Sequence, residues 1–303
     1  MGTMKQTRRR RRTTGIVRRW QRWWRRAKTP ARLAACMTGL IGVIAVMALI
    51  MGAIRLAQWQ VRVNAARTEQ QQLQRTYDFN PGNIIADGQF FNANAMSAAE
   101  VQAFLDDQGA SCSGSRCLKS MRFPTEHRDA DQSCREYRST GEESAADIID
   151  KSAKACGISQ KVLLTMLQKE QHLVSADWIS DFQIKAAMGL SCPDDASCDP
   201  RYAGFFRQVF GAAQRLRYYE NHEQDYAYHA GTLNRIAYHP NAACSASDVY
   251  IENKATALLY IYTPYQPNAA ALQANGGEGD SCSSYGNRNF SIIYQQWFGS
   301  PRR

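Results

Sequence analysis

The sequence lacks the short motifs that several classes of enzyme require. It contains no H-E-x-x-H or His-x-His pair, so a zinc amidase or peptidase has no support. It contains neither a Gly-rich phosphate-binding loop nor a G-x-S-x-G nucleophile elbow, which removes the support for nucleotide chemistry and for a serine hydrolase of that type. We therefore expect no metal and no cofactor.

Acidic residues are absent from the first part of the chain. Residues 1–32 hold 13 Lys and Arg and no Asp or Glu. Of the 37 basic residues, 37 minus 13 leaves 24 in residues 33–303, against 27 acidic residues there. The run TRRRRRTT resembles a phosphate-binding sequence of nucleic-acid-binding proteins. We favour the simpler interpretation that this basic tail lies on the anionic inner leaflet of a membrane, with no nucleic-acid partner.

Charge of either sign is absent from residues 33–54, LAACMTGLIGVIAVMALIMGAI. This run is long enough to cross a bilayer as one helix. The excess of Lys and Arg before it predicts a cytoplasmic N-terminus and an external C-terminal body. The basic region and the apolar run are both longer than in a usual cleaved signal peptide. We therefore predict a single-pass signal anchor in the cell membrane, with the body facing the cell wall.

The external body is rich in cysteine. Of nine Cys, only Cys36 lies in the apolar run. The even number in an exported body predicts disulfides, although eight cysteines allow 105 pairings. Closeness along the chain favours Cys112–Cys117 and Cys192–Cys198, and the pairs Cys134–Cys156 and Cys244–Cys282 would complete the set. A free Cys156 near a histidine would instead suggest a Cys–His peptidase, which is the less favoured alternative.

Strand patterns are scarce beyond the anchor. Residues 55–76 predict a polar stalk, and the body is expected over residues 77–303. Helices are predicted from Ser97, with Glu100 in capping-box spacing, and before Gly157. We expect one hairpin in residues 226–239, with its turn near Gly231, and a helix capped by Ser247. These patterns predict a mainly α body with a small β element, stapled by disulfides.

One carboxylate interrupts an apolar helical stripe in LLTMLQKEQHLV, residues 163–174. Glu170 falls among the stripe residues Met166, Leu167 and Val174 at helical spacing. Apolar surroundings favour the neutral, protonated acid, which is the form that protonates a glycosidic oxygen. The alternative is an exposed carboxylate, or one paired with Lys169 or Arg217.

A family resemblance supports the first alternative. ADIIDKSAKACGISQKVLLTMLQKEQHLV, AAMGL (residues 186–190) and AYHAG (residues 227–231) resemble, in this order, three motifs of goose-type lysozymes and lytic transglycosylases. The resemblance implies an α+β lysozyme-like fold with Glu170 as the catalytic acid and base. Gln171 and His229 replace the Ser and Asn that are usual in those motifs.

A second resemblance covers nearly the whole body. FNPGNIIADGQFFNANAMSAAEVQAFL, LLTMLQKEQHLV, YIYTPYQPNAAAL and CSSYGNRNFSIIYQQWFG resemble exported actinobacterial cell-surface proteins that are described as hemagglutinin-like or amidase-like. Tyrosines and amides near the motifs are expected to contact a glycan. The predicted substrate-binding residues are Gln171, Gln183, Met188, Gly189, Tyr228, Tyr262 and Tyr265.

Three functions are compatible with these observations. The first is a membrane-anchored enzyme that cleaves peptidoglycan glycan strands, as a lytic transglycosylase or a muramidase. A hydrolase needs a second carboxylate, for which the candidates are Asp177, Asp181, Asp194, Asp195 and Asp199. A transglycosylase needs only Glu170, and we favour it because no aspartate stands out. The other two functions are a non-catalytic wall-binding or adhesin module and an accessory subunit of cell-wall assembly.

Overall fold

The computed structural model describes residues 7–192 and 198–303. The chain divides into two compact units, Met1–Val61 and Arg62–Arg303. The first unit contains helix α1 (Thr7–Arg26) and the beginning of the long helix α2 (Thr29–Tyr77). The residues of α2 from Arg62 onward belong to the second unit. Because α2 continues to Tyr77, residues 55–76, which are predicted as a stalk, are helical.

Helix α2 is, within the described residues, the one helix that is long and apolar enough to cross a membrane. The large apolar side chains of its residues 33–54 are exposed, including Leu40, Ile44 and Leu49. Exposed apolar surface of this length is compatible with lipid rather than water. Length and composition also fit a signal sequence, so the prediction of an anchor with a cytoplasmic N-terminus stays a prediction.

The second unit is mainly helical and has two small sheets. Its helices are α3 (Asp87–Phe90), α4 (Ala98–Gln108), α5 (Ala145–Cys156), α6 (Gln160–Gln171), α7 (Asp181–Lys185), α8 (Phe205–Asn221), α9 (Lys254–Tyr262), α10 (Ala269–Gln273) and α11 (Gly286–Phe298). Its strands are β1 (Arg122–Pro124), β2 (Glu142–Ser144), β3 (Thr232–Ala237) and β4 (Ala246–Ile251). β1 pairs with β2 and β3 pairs with β4, both antiparallel. The predicted mainly α class with a small β element is confirmed.

The local signals for α4 and α5 are confirmed. The Ser97 hydroxyl accepts a hydrogen bond from the Glu100 backbone N–H, and the Glu100 carboxylate accepts one from the Ser97 N–H, which completes the capping box. Helix α5 ends at Gly157, whose φ of 69° is in the left-handed region that favours glycine. Both helices therefore begin or end where the sequence predicts.

The predicted hairpin and the predicted Ser247 cap are wrong. Gly231 directly precedes β3, whose partner β4 begins at Ala246. Ser247 lies inside β4, and the side chain of Asn253 caps α9 instead. The error has a physical cause: Val249 and Ile251 are buried alternately, with the period of a strand. Apolar residues continue from β4 into α9, so the sequence pattern from Ser247 to the end of α9 resembles that of one helix.

Helix α6 lies in the centre of the core. It packs against α5 and α11, while α5 also packs against α4 and α8. Its residues Val162, Leu163, Leu164, Met166 and Leu167 are fully buried. The position of the C-terminal end of α6 is therefore fixed by packing on several sides.

Four disulfides close loops around this core. They join Cys112 to Cys117, Cys134 to Cys156, Cys192 to Cys198 and Cys244 to Cys282. Two of these pairs are the ones that closeness along the chain favours, and the other two complete the set as expected. Cys156 is therefore bonded and not available as a nucleophile, while Cys36 is free. The disulfides and the apolar helix together indicate an exported protein.

Candidate functional site

Glu170 lies in the last turn of α6, where the apolar stripe meets the surface. The stripe residues Leu173 and Val174 are buried just beyond the helix, whose C-terminal cap is His172. The Glu170 side chain is 23% exposed, so its carboxylate is half-buried and accessible from solvent. A carboxylate at this depth is costly unless a partner compensates for its desolvation.

Lys169 is the partner of Glu170. Its Nζ lies 2.6 Å from Glu170 Oε1, and its side chain is only 8% exposed. The same Nζ donates a hydrogen bond of 3.0 Å to Thr263 Oγ1. This ion pair compensates for the desolvation of the Glu170 carboxylate, and Lys169 is one of the two partners that the sequence suggests for it. Arg217, the other candidate partner, pairs with Glu220 instead.

Gly189 lies against the other oxygen of the Glu170 carboxylate. A Cβ at this position would lie 3.2 Å from Glu170 Oε2, and the φ of Gly189 is +68°. Both the close approach and the left-handed backbone favour glycine. The AAMGL segment and the end of α6 therefore meet at Glu170, as the order of the motifs suggests.

Gln208 of α8 holds the turn that carries Gly189. Its Oε1 accepts hydrogen bonds from the backbone N–H groups of Met188 (3.0 Å) and Leu190 (3.1 Å). Its Nε2 donates to the carbonyl oxygens of Leu190 and Tyr202, both at 2.9 Å. Our sequence reasoning missed Gln208. The signal was the one that revealed Glu170, a polar residue among buried apolar residues of a helix.

Tyr262 connects α9 to the same turn. Its hydroxyl donates a hydrogen bond of 2.5 Å to the Met188 carbonyl oxygen. Burial, and next the negative charge of Glu170, raise the pKa of Tyr262 well above its usual value of 10.0. The phenol therefore stays neutral and keeps donating to the turn. The Lys169 Nζ that contacts Glu170 also lies 5.8 Å from the centre of the Tyr262 ring.

The other predicted substrate-binding residues fall into two groups. Gln183 Nε2 donates to the Gln171 carbonyl oxygen at 2.9 Å, directly after Glu170 in the chain. Met188 also adjoins the site, but its side chain is fully buried. Tyr228 precedes β3 and Tyr265 follows α9, and the Tyr228 hydroxyl donates to the Pro264 carbonyl oxygen at 3.0 Å. Contact of these residues with a glycan stays a prediction.

None of the candidate second carboxylates that the structure describes stands out. Asp181 Oδ1 lies 2.6 Å from an Arg116 nitrogen, and Asp199 pairs with Arg201. Asp177 is exposed on the loop after α6, and Asp194 and Asp195 lie outside the described residues. Within residues 7–192 and 198–303, no cluster of three His, Cys, Asp or Glu side chains has a geometry that would hold a metal ion.

Comparison with known proteins gives one family. A family model described as "LasA, N-terminal domain" matches residues 83–303, more than two thirds of the chain. A comparison with curated proteins and another with solved structures found no match. The family description names no activity, so the lysozyme-like resemblance stays a hypothesis. The matched range begins six residues after α2 ends and continues to Arg303. Because the match covers most of the chain, the chain belongs to the LasA N-terminal domain family.

Proposed function

We propose that this protein is a membrane-anchored enzyme that cleaves the glycan strands of peptidoglycan, with Glu170 as the acid and base. One observation carries the proposal. The Glu170 carboxylate is held in a fixed, partly exposed position between Lys169 and the Gly189 turn. Acid–base catalysis requires a carboxyl group that is positioned but accessible to substrate.

The mechanism that needs the fewest groups is that of a lytic transglycosylase. Glu170 gives its proton to the oxygen that links N-acetylmuramic acid to N-acetylglucosamine, and this bond breaks. The carboxylate then takes the proton of the muramic acid's own 6-hydroxyl as that oxygen bonds to the anomeric carbon. No second carboxylate and no water take part, which suits a site where Asp181 and Asp199 are paired with arginines.

Lys169 has a defined consequence in this mechanism. Its ammonium contacts Glu170 Oε1 and donates a hydrogen bond to Thr263, so it fixes the orientation of the carboxyl group. We assign Lys169 the role of a positioning residue for Glu170.

The other segments of the chain have roles that fit an enzyme acting on the cell wall. The domains proposed are a basic cytoplasmic tail (1–32), a transmembrane helix (33–54), a stalk (55–76) and an external catalytic body (77–303). The tail would bind the anionic inner leaflet of the membrane. The body would face the cell wall, where the peptidoglycan strands are its partner.

A specific observation favours a second candidate, a non-catalytic wall-binding or adhesin module. The 2.6 Å contact between Lys169 and Glu170 is what a purely structural ion pair would show. A role as an accessory subunit of cell-wall assembly would use the same fold with the tail as a cytoplasmic handle. Both alternatives predict that the protein leaves glycan strands intact.

Digestion of purified sacculi by the full chain in detergent micelles separates these functions. The products are analysed by mass spectrometry, with detergent alone as the control. We expect muropeptides that end in anhydromuramic acid. Reducing ends would show a hydrolase and would contradict the single-acid mechanism. Intact glycan with protein retained on the sacculi would contradict cleavage and support the wall-binding module.

A further inference from the structure

A cavity of about 420 Å³ lies on the outer face of α8. We call it the α8 cavity. Tyr202, Tyr218 and Tyr226 line it together with Gly211 and Arg215. Its volume is within the range of pockets that hold small ligands. Three aromatic rings around one polar space are typical of a binding site rather than of a packing defect.

Opposite charges line the same cavity. Arg215 is half-buried and donates a long hydrogen bond, 3.5 Å, to the Tyr202 hydroxyl. Within the described residues no carboxylate lies at ion-pair distance from it. A half-buried guanidinium with this little compensation is suited to bind a carboxylate of a ligand.

Asp131 supplies the negative charge. Its Oδ1 accepts hydrogen bonds from the backbone N–H groups of Ser133 and Cys134, both at 2.7 Å. Burial opposes ionisation, but these bonds and one from the Gln214 side chain outweigh it and lower the pKa of Asp131 below its usual 3.8. The carboxylate therefore stays charged at neutral pH and can bind an ammonium group of a ligand.

The α8 cavity adjoins the turn at Glu170. Gly189 of this turn faces the Glu170 carboxyl group, while the next residue, Leu190, contacts Gly211 of the cavity wall. A Cβ at Gly211 would lie only 2.7 Å from Leu190 Cδ2, so the glycine allows the close approach. A ligand that contacts Gly211 would therefore lie next to Leu190, which directly follows Gly189 in the turn.

We propose that the α8 cavity binds the zwitterionic stem peptide of peptidoglycan, with Arg215 on a carboxylate and Asp131 on an amine. This choice of ligand rests on the proposed function. Glycan alone carries no ammonium group that would use Asp131, whereas a stem peptide with a diamino acid carries both charges. The tyrosine rings pack against the apolar parts of the peptide.

The test uses the free tripeptide L-alanyl-γ-D-glutamyl-meso-diaminopimelic acid and the full chain in detergent micelles. Calorimetric titration should show saturable binding by the wild type. Arg215→Gln and Asp131→Asn should each weaken it roughly tenfold or more, because each removes a charged hydrogen-bond partner. Arg235→Gln, which removes the same charge from an exposed site on β3, should bind as the wild type does.

Tyr218→Ser provides a variant that is safe for the fold, because Tyr218 is 41% exposed. It should also weaken binding, at an unchanged melting temperature. No binding by the wild type, or equal affinities for all variants, would overturn the inference. A chain that binds the tripeptide but leaves sacculi intact would support the cavity and reject cleavage. A chain that digests sacculi without binding the tripeptide would reject the cavity alone.

Discussion

Adjacent residues with opposite charges define the candidate site at the scale of single residues. Lys169 and Glu170 are neighbours in the chain, and both are largely shielded from water. Shielding strengthens their attraction and makes the loss of either partner costly. The pair therefore controls both the position of the Glu170 carboxylate and the local stability.

Lys169→Met tests the positioning of Glu170. Without the ammonium, Glu170 Oε1 loses its ion-pair partner, so the rate of sacculus digestion should fall roughly tenfold or more. Lys169→Arg keeps the positive charge and should retain most of the wild-type rate. Equal digestion rates for the wild type and Lys169→Met would contradict the assigned role.

Gly189→Ala tests the turn against Glu170. A left-handed alanine costs about 1–2 kcal/mol, and its Cβ would also press on Glu170 Oε2 at 3.2 Å. We expect a lower melting temperature and a loss of digestion. Gly276→Ala is the matched control, since Gly276 has a φ of +99°, no neighbour within 4 Å of a Cβ and a position outside the three motifs. An equal loss of digestion in both variants would show that the contact with Glu170 has no special role.

At the scale of secondary structure elements, one buried carboxylate joins β2 to its surroundings. Glu143 accepts hydrogen bonds from the Tyr137 hydroxyl (2.5 Å), the Thr140 backbone N–H (2.7 Å) and Lys151 Nζ (2.9 Å). β2, the loop before it and α5 are thereby connected. Burial alone would raise the pKa of Glu143, but these partners lower it below its usual 4.5.

The depressed pKa predicts how stability depends on pH. The stabilisation is complete above pH 4.5, the usual value, and is lost as the pH falls through the lower value of the folded state. Melting temperatures of the wild type should therefore fall more steeply below that pH than those of Glu143→Gln. Glu142→Gln, at an exposed position of the same strand, should follow the wild type. A Glu143→Gln curve parallel to the wild type would refute the linkage.

The sequence predicts the helices better than the strands, and the elements show why. Helix α4 and the end of α5 depend on local signals, a capping box and a glycine, that can be read directly. β3 and β4 are six residues each and depend on their mutual pairing. That pairing is not encoded locally, so the sequence pattern alone places Ser247 at the start of a helix.

The site was predictable to a similar, partial extent. The position of Glu170 in its stripe and the meeting of α6 with AAMGL follow from patterns in the sequence. The hydrogen bond between Gln208 and Met188 joins residues that are 20 positions apart in the chain. The hydrogen bond between Tyr262 and Met188 joins residues that are 74 positions apart. Such contacts depend on how α8 and α9 pack, which the residues themselves do not reveal.

At the scale of the whole molecule, the chain combines an apolar helix with a disulfide-stapled body. Neither feature alone is decisive, because a signal sequence is also apolar and some intracellular proteins contain disulfides. Together they indicate export. The predicted orientation depends on the basic tail, for which the positive-inside rule predicts a cytoplasmic location.

Epitope tags at the two ends test this orientation. In intact cells stripped of their wall, an antibody should reach a C-terminal tag, and should reach an N-terminal tag only after the membrane is permeabilised. An N-terminal tag that is accessible in intact cells would contradict the predicted topology. Release of the body from the membrane without the N-terminal tag would show a cleaved signal instead of an anchor.

The most direct test of the central claim is sacculus digestion by Glu170→Gln, with its melting temperature measured alongside. Glutamine keeps the shape and hydrogen bonds of the side chain but cannot give up a proton. The account predicts that digestion falls on the order of 100-fold or more at a temperature where the variant is still folded, while wall binding stays near that of the wild type. Glu252→Gln, at an exposed position where the carboxylate contacts Asn83, controls for the change of charge. A Glu170→Gln protein destabilised by roughly 1–3 kcal/mol that still digests sacculi would mean that Glu170 only balances Lys169, and would contradict the account.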